Sequence, residues 1–300
     1  MIKKTYDVVI LGTGPSGLQA AIHAARAKAS VLILGRKHKS SLYRAHIENY
    51  CCLSGISGEE LLQQGTRQAL DFGAHFLDED AVKITHKADW FIITTESGDS
   101  IKSRALIVAM GVTRNRLGVP GEKDFLGKGV SYCVDCDANF YKGAKVAIVG
   151  NESAAVSGAL TLLFYADQVH LVSDQLQVSD RLDYQIRKSE VIIHSGRKVK
   201  EIIGKETIEG IILDDDQRLN VTGIFIETGA KGAVELTALL GVELDADKFK
   251  YIVTDKQQQT NIQGVYAAGD ICGPPFQMAK AVGEGCVAGL FAAKYAKKFK

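Results

Sequence analysis

Two cysteines separated by two residues, Cys133-Val134-Asp135-Cys136, with Asp137 directly after them, are the segment most suited to chemistry. Cys-x-x-Cys serves either metal binding or redox exchange. A zinc site needs about four Cys or His ligands, usually as two such pairs. The other cysteines are Cys51, Cys52, Cys272 and Cys286, with no second pair of this spacing and no metal-like histidine spacing. No metal is therefore expected. Redox work asks for less: two sulfurs this close form a small ring, and exchange needs one thiolate able to attack in line. Asp135 inside the motif opposes that step, because a nearby negative charge raises thiol pKa values. Cys272 and Cys286 read as packing residues, and adjacent Cys51 and Cys52 cannot easily bridge one another.

The second pattern is glycine. Gly12-Thr13-Gly14-Pro15-Ser16-Gly17 follows the apolar run Tyr6–Leu11 and precedes a helix-forming stretch to Arg26, after which Ser30–Leu34 reads as a second strand. Strand, G-x-G-x-x-G and helix in one βαβ unit form a dinucleotide-binding turn. Gly12 permits the tight turn, Gly14 lets backbone approach a pyrophosphate, and Gly17 lets helix pack on strand. The amino end of the helix offers N–H groups and a positive dipole to the phosphates. Strand two ends at Leu34-Gly35, without the acidic residue that usually takes the ribose hydroxyls, so the nucleotide stays open. Beyond it, Arg36-Lys37-His38-Lys39 with Arg44 and His46 reads as either a solvated basic loop or an anion site.

A second strand–turn–helix pattern stands at Lys145–Val149, Gly150 and the residues that follow, with a further strand at Gln168–Val172. Near the end of the chain lies Thr260-Asn261-Ile262-Gln263-Gly264-Val265-Tyr266-Ala267-Ala268-Gly269-Asp270. Two such units, the late Gly-Asp segment and the cysteine pair before the second unit resemble the flavin-dependent pyridine nucleotide–disulfide reductases, specifically the low-molecular-weight thioredoxin reductases. The likeness covers nearly the whole chain. Glu48-Asn49-Tyr50 matches the family segment that contacts FAD, Ala109-Met110-Gly111 stands where the family has Ala-Thr-Gly, and Gln277 matches a glutamine near the flavin ring. The resemblance implies an α/β fold of two Rossmann-like, three-layer dinucleotide-binding domains, the second inserted in the first. The FAD domain would span 1–113 and 246–300, and the inserted domain 114–245. It implies FAD held by Gly12, Gly14, Pro15, Ser16, Gly17, Asn49, Gly111, Gly269, Asp270 and Gln277. Cys136 would face the flavin, Cys133 would exchange with an outside dithiol, and Asp137 would shuttle protons. A homodimer is also implied.

The pattern breaks at the NADPH site. Where the family fingerprint runs G-x-G-x-x-A, this chain has Gly150-Asn151-Glu152-Ser153-Ala154-Ala155. Glu152 replaces the glycine that lets a pyrophosphate approach, opposing it by bulk and by charge. The basic cluster that grips the 2′-phosphate is replaced by Ser173-Asp174-Gln175 through Ser179, with no positive charge. Both changes argue against NADPH.

The leading expectation is therefore an FAD enzyme that exchanges electrons with a Cys133/Cys136 disulfide without NAD(P)H, through a second FAD. Tyr43, Tyr50 and Phe276 are the candidate ring contacts for that second flavin. Alternatives are a ferredoxin-dependent thioredoxin reductase, an NAD(P)H enzyme with an altered site, and a non-catalytic flavin redox sensor. The partner is a dithiol or disulfide protein such as thioredoxin, or ferredoxin.

Composition agrees with this and excludes other classes. Of 300 residues, 30 are glycine and four proline, which is neither linker nor collagen usage. A net charge of +1 advertises no nucleic-acid partner. The apolar run at Val8–Leu11 is too short for a signal peptide or a membrane span, so a cytoplasmic protein is expected.

Overall fold

A computed structural model describes residues 3–43, 45–53, 55–112, 116–132, 134–228, 232–246 and 250–299, and of Cys136 the backbone only. Cys133, Arg44 and the Cys136 side chain, all singled out above, lie outside the described residues. The chain forms two compact units, one of residues 1–95, 99–113 and 232–300 and the other of 96–98 and 114–231.

The first unit starts with β1 (Thr5–Leu11), α1 (Pro15–Arg26) and β2 (Val31–Leu34). A short hairpin, β3 (His46–Ile47) and β4 (Ile56–Ser57), leads into α2 (Gly58–Asp71). Then come β5 (His75–Leu77), β6 (Ala81–Lys87), β7 (Trp90–Thr95) and β8 (Ser100–Val108). The apolar run of β1 is buried on both faces, as a central parallel strand must be. Val8 and Ile10 join the cluster under α1, while Val9 and Leu11 join the cluster on the opposite face. β1 pairs in parallel with β2 and β8, and β2 with β5.

In the second unit, β9 (Val130–Ser131) and α3 (Val134–Asp137) precede β10 (Lys145–Val149), α4 (Ser153–Leu162), β11 (Gln168–Ser173), α5 (Asp180–Lys188) and β12 (Ile192–Ser195). An antiparallel sheet of β13 (Val199–Gly204), β14 (Ile208–Leu213) and β15 (Arg218–Leu219) follows, and then β16 (Gly223–Ile226). The parallel sheet runs β12-β11-β10-β16-β9. Val146 and Ile148 face the helices, and Ala147 and Val149 face the three-stranded sheet. Helices, parallel sheet and antiparallel sheet are the three expected layers.

The chain returns to the first unit with α6 (Ala233–Ala238), β17 (Val265–Ala267) and α7 (Met278–Ala296). The return comes at 232 rather than the expected 246, because α6 sends Ala233 and Leu236 into the apolar cluster of Leu11, Leu34, Ile84 and Val108. β17 extends the sheet beside β8, pairing Val265 with Leu106 and Ala267 with Val108. α7 lies against α1 across two glycines four residues apart. A Cβ on Gly285 would stand 2.2 Å from the Ser16 carbonyl oxygen, and one on Gly289 would stand 2.3 Å from that of Ala20. Among the described residues, no helix is long and apolar enough to cross a membrane.

This contact is testable with two glycines of one helix. Gly289→Val forces a branched side chain onto backbone and should cost about 1–3 kcal/mol of unfolding free energy in urea. Gly283→Ala, where a Cβ meets nothing within 4 Å, should instead gain about 0.5–1 kcal/mol. Equal effects would contradict the close packing.

Candidate active site

The first glycine turn sits at the carboxyl ends of β1, β8 and β17, where open α/β sheets hold ligands. Gly12 has φ +113°, and a Cβ there would lie 2.2 Å from the Ala109 carbonyl oxygen. A Cβ on Gly17 would lie 2.0 Å from the Gly12 oxygen. The protein's own backbone therefore requires both glycines. Gly14 is different: its φ of −76° suits any residue, and a Cβ would meet only Ser40 Oγ, at 3.4 Å. Glycine there keeps the amino end of α1 open. Gly14 caps that helix with no side-chain hydrogen bond, and Pro15 occupies the first turn, leaving the Ser16 and Gly17 amides for an anion. This cradle fits a pyrophosphate.

Gly269, at φ +90°, brings the late Gly-Asp segment to the same place, since its Cβ would stand 2.6 Å from Ser16 Oγ. α7 fixes that turn. The Gly269 N–H donates to Glu284 Oε2 at 2.8 Å, and Lys280 Nζ donates to the carbonyls of Gly269 at 2.8 Å and Gly273 at 2.6 Å. Lys280 and Glu284 also pair with each other at 3.2 Å. Burial raises the Asp270 carboxyl above its ordinary range, against the opposing pull of the Lys280 ammonium. Burial, helped by the Glu284 charge, pushes the Cys272 thiol up to about 12. That thiol stays protonated, a packing residue as expected. Asn49 and Gln277, 228 residues apart, meet through Asn49 Nδ2 donating to Gln277 Oε1 at 3.1 Å. Gly111, at φ +70°, has nothing within 4 Å of a built Cβ.

The residues proposed for a second flavin are placed less favourably. Arg36 and Lys39 both pair with the buried carboxylate of Asp80, Lys39 at 2.9 Å. Lys37 Nζ lies 5.4 Å from the Phe76 ring centroid. Tyr43 packs on the α1 cluster and donates its hydroxyl to Glu59 Oε1 at 2.7 Å. Together with Lys37, His38, Leu62, Gln63 and Asp78 these two residues line a hollow of about 190 Å³. Tyr50 closes a turn with Leu53. Phe276 is half exposed, its ring 6.1 Å from that of Tyr251.

In the second unit, α3 carries Asp137 at its end, and the Ser131 hydroxyl donates to Asp137 Oδ2 at 2.7 Å. At the start of α3, the Val134 N–H donates to Glu227 Oε1 at 3.1 Å. Ser131 and Glu227 thus hold the two ends of the cysteine segment. Neither stood out in the sequence, because each gains its role only through a long-range contact. The second nucleotide turn differs from the first at the decisive residue. Glu152 stands at the cap of α4 in extended conformation, with no side-chain capping hydrogen bond, at the position that Gly14 holds at α1. Asp174, after β11, is not isolated: Lys198, just before β13, pairs with it at 3.2 Å. The sequence segment held no positive charge, and the fold brings Lys198 to Asp174 and the backbone of Arg197 to Ser173.

Residues 6–285 match the pyridine nucleotide-disulphide oxidoreductase family. A thioredoxin reductase from Listeria innocua is 32% identical, the match covering 99% of this chain and 96% of that protein. The crystal structure of the atypical thioredoxin reductase from Desulfovibrio vulgaris Hildenborough superposes with a TM-score of 0.84 at 34% identity, covering 97% of this chain and 98% of that one. A ferredoxin-flavin thioredoxin reductase from Clostridium acetobutylicum gives a TM-score of 0.68 at 33% identity, covering 98% of each chain.

The Gly269 turn supplies a direct test. Glu284→Leu leaves a partly buried N–H without its acceptor and should lower unfolding free energy by about 1–3 kcal/mol. Glu284→Gln keeps an acceptor and should lose less than half as much. Equal losses in urea titrations would mean that the hydrogen bond does not hold the turn.

Proposed function

Because the chain belongs to the pyridine nucleotide-disulphide oxidoreductase family and is a flavin-dependent disulfide oxidoreductase of the thioredoxin reductase type, we propose that it works without a pyridine nucleotide. Electron pairs pass between FAD and the Cys133/Cys136 pair, with no NAD(P)H step. The observation that carries this reading is Glu152 at the amino end of α4. A carboxylate there meets a pyrophosphate with like charge and excess volume, whereas the equivalent end of α1 is open. Asp174, matched by Lys198, adds nothing that would grip a 2′-phosphate.

FAD would be held by the Gly12–Gly17 turn, with Asn49, Gly111, Gly269, Asp270 and Gln277 around it. When bound, it supplies a two-electron donor and acceptor. Cys133 exchanges with the partner: its thiolate attacks the partner disulfide, and Cys136 then displaces the partner thiol and closes the Cys133–Cys136 bond. The partner gains two electrons and two protons, and the pair loses them. Asp137, oriented by the Ser131 hydroxyl, would relay a proton to the departing thiolate. The relatives' names support thioredoxin as that partner.

Electrons enter from a protein donor of the ferredoxin class. Two observations support this: the likeness to the Clostridium acetobutylicum protein, and the engagement of Arg36 and Lys39 by Asp80, which offsets part of the loop's positive charge for a second flavin's phosphates. A second FAD is the other reading, favoured by the half-exposed Phe276 ring beside Gln277.

The purified protein should release one FAD per chain on denaturation. Reduced ferredoxin should drive thioredoxin reduction, and NADPH and NADH should do so at least about 100-fold more slowly. Cys136→Ser should abolish turnover. Two FAD per chain would favour the second-flavin reading. Fast NADPH turnover would overturn the proposal, and no turnover with any donor would point to a sensor.

A further inference from the structure

The β3–β4 hairpin carries two thiols that the redox reading leaves unused. Residues 50–53 form a tight turn, the Leu53 N–H donating to the Tyr50 carbonyl at 3.0 Å, with Cys51 and Cys52 at its two central positions. Both thiols are free and exposed, and their Sγ atoms stand 3.4 Å apart. Cys52 has φ +67°, the left-handed region that such a turn ordinarily assigns to glycine or asparagine. A thiol there, in place of an unstrained glycine, is an outlier of the kind that marks function.

Two chemistries could use the pair, and geometry separates them. Neighbouring Cα atoms lie about 3.8 Å apart across a trans peptide, short of the ~4.4–6.8 Å that an unstrained disulfide spans. A bond between these sulfurs is therefore strained and easily reduced. One atom bound to both sulfurs meets no such conflict. Two bonds of about 2.3 Å, a soft-metal–thiolate length, span the observed separation at an angle of roughly 95°. That angle is closer to a pyramidal three-coordinate centre than to tetrahedral zinc. Zinc would also want about two further ligands, and among the described residues no group of three or more His, Cys, Asp or Glu is gathered to hold a metal ion.

We propose that Cys51 and Cys52 form a bidentate site for trivalent arsenicals. Two S–H bonds and two As–OH bonds break, two As–S bonds form, and two waters leave. No electrons move.

The probe is phenylarsine oxide, added to holoprotein carrying Cys133→Ser and Cys136→Ser, so that the redox pair cannot compete. Intact mass should show one adduct per chain, stable to excess monothiol and removed by 2,3-dimercaptopropanol. Adding Cys51→Ser or Cys52→Ser should weaken it at least tenfold, with bound FAD absorbance reporting that the fold persists. Should those variants misfold, wild-type protein gives the same answer, because phenylarsine oxide must then protect Cys51 and Cys52 from iodoacetamide. No adduct on the double variant, an adduct unchanged by Cys51→Ser together with Cys52→Ser, or no protection would overturn the proposal.

Discussion

The amino end of a helix holds an anion only where its first amides are left open to one, and this chain builds that end twice, with Gly14 at one cap and Glu152 at the other. At α1, Gly12 and Gly17 are glycine because backbone oxygens stand about 2 Å from where a Cβ would be. Gly14 is glycine although the protein's own packing does not demand it. The difference separates residues that make the turn from the residue that admits the ligand. The rest of the first unit serves this end: β1 buried on both faces fixes its position, α7 packs close through Gly285 and Gly289, and Lys280 with Glu284 holds the Gly269 turn beside Ser16.

At α4 the same strand, turn and helix are kept as part of the second unit's core. The cysteine segment is held at its ends by Ser131 and Glu227, and Glu227 also packs against the turn, its carbonyl oxygen 2.1 Å from where a Cβ on Gly150 would stand.

Much of this was legible from residues alone. β1 and β10 announce themselves as short apolar runs, and both nucleotide turns as local spacings, because strand burial and turn geometry are short-range properties. Family resemblance placed Asn49 and Gln277 each beside the flavin, but their hydrogen bond to one another was not foreseen, since nothing local links residues so far apart. Ser131, Glu227 and Glu284 were missed for the same reason: each is an ordinary polar residue until the fold supplies its partner. α6 is too short for periodicity to assign, so the chain's return to the first unit was placed fourteen residues late. The basic loop at 36–39 reads in sequence as solvated or as an anion site, and the partner of Arg36 and Lys39, the buried Asp80, is invisible there because it lies about forty residues on.

The proposed distinction between this chain and a nicotinamide-dependent reductase rests on one helix end. Calorimetric titration of the oxidised holoprotein with NADP+ and NAD+ examines that end without relying on turnover. The account predicts no saturable binding up to about 1 mM, an affinity no better than about −4 kcal/mol. A dissociation constant in the micromolar range for either nucleotide would contradict it.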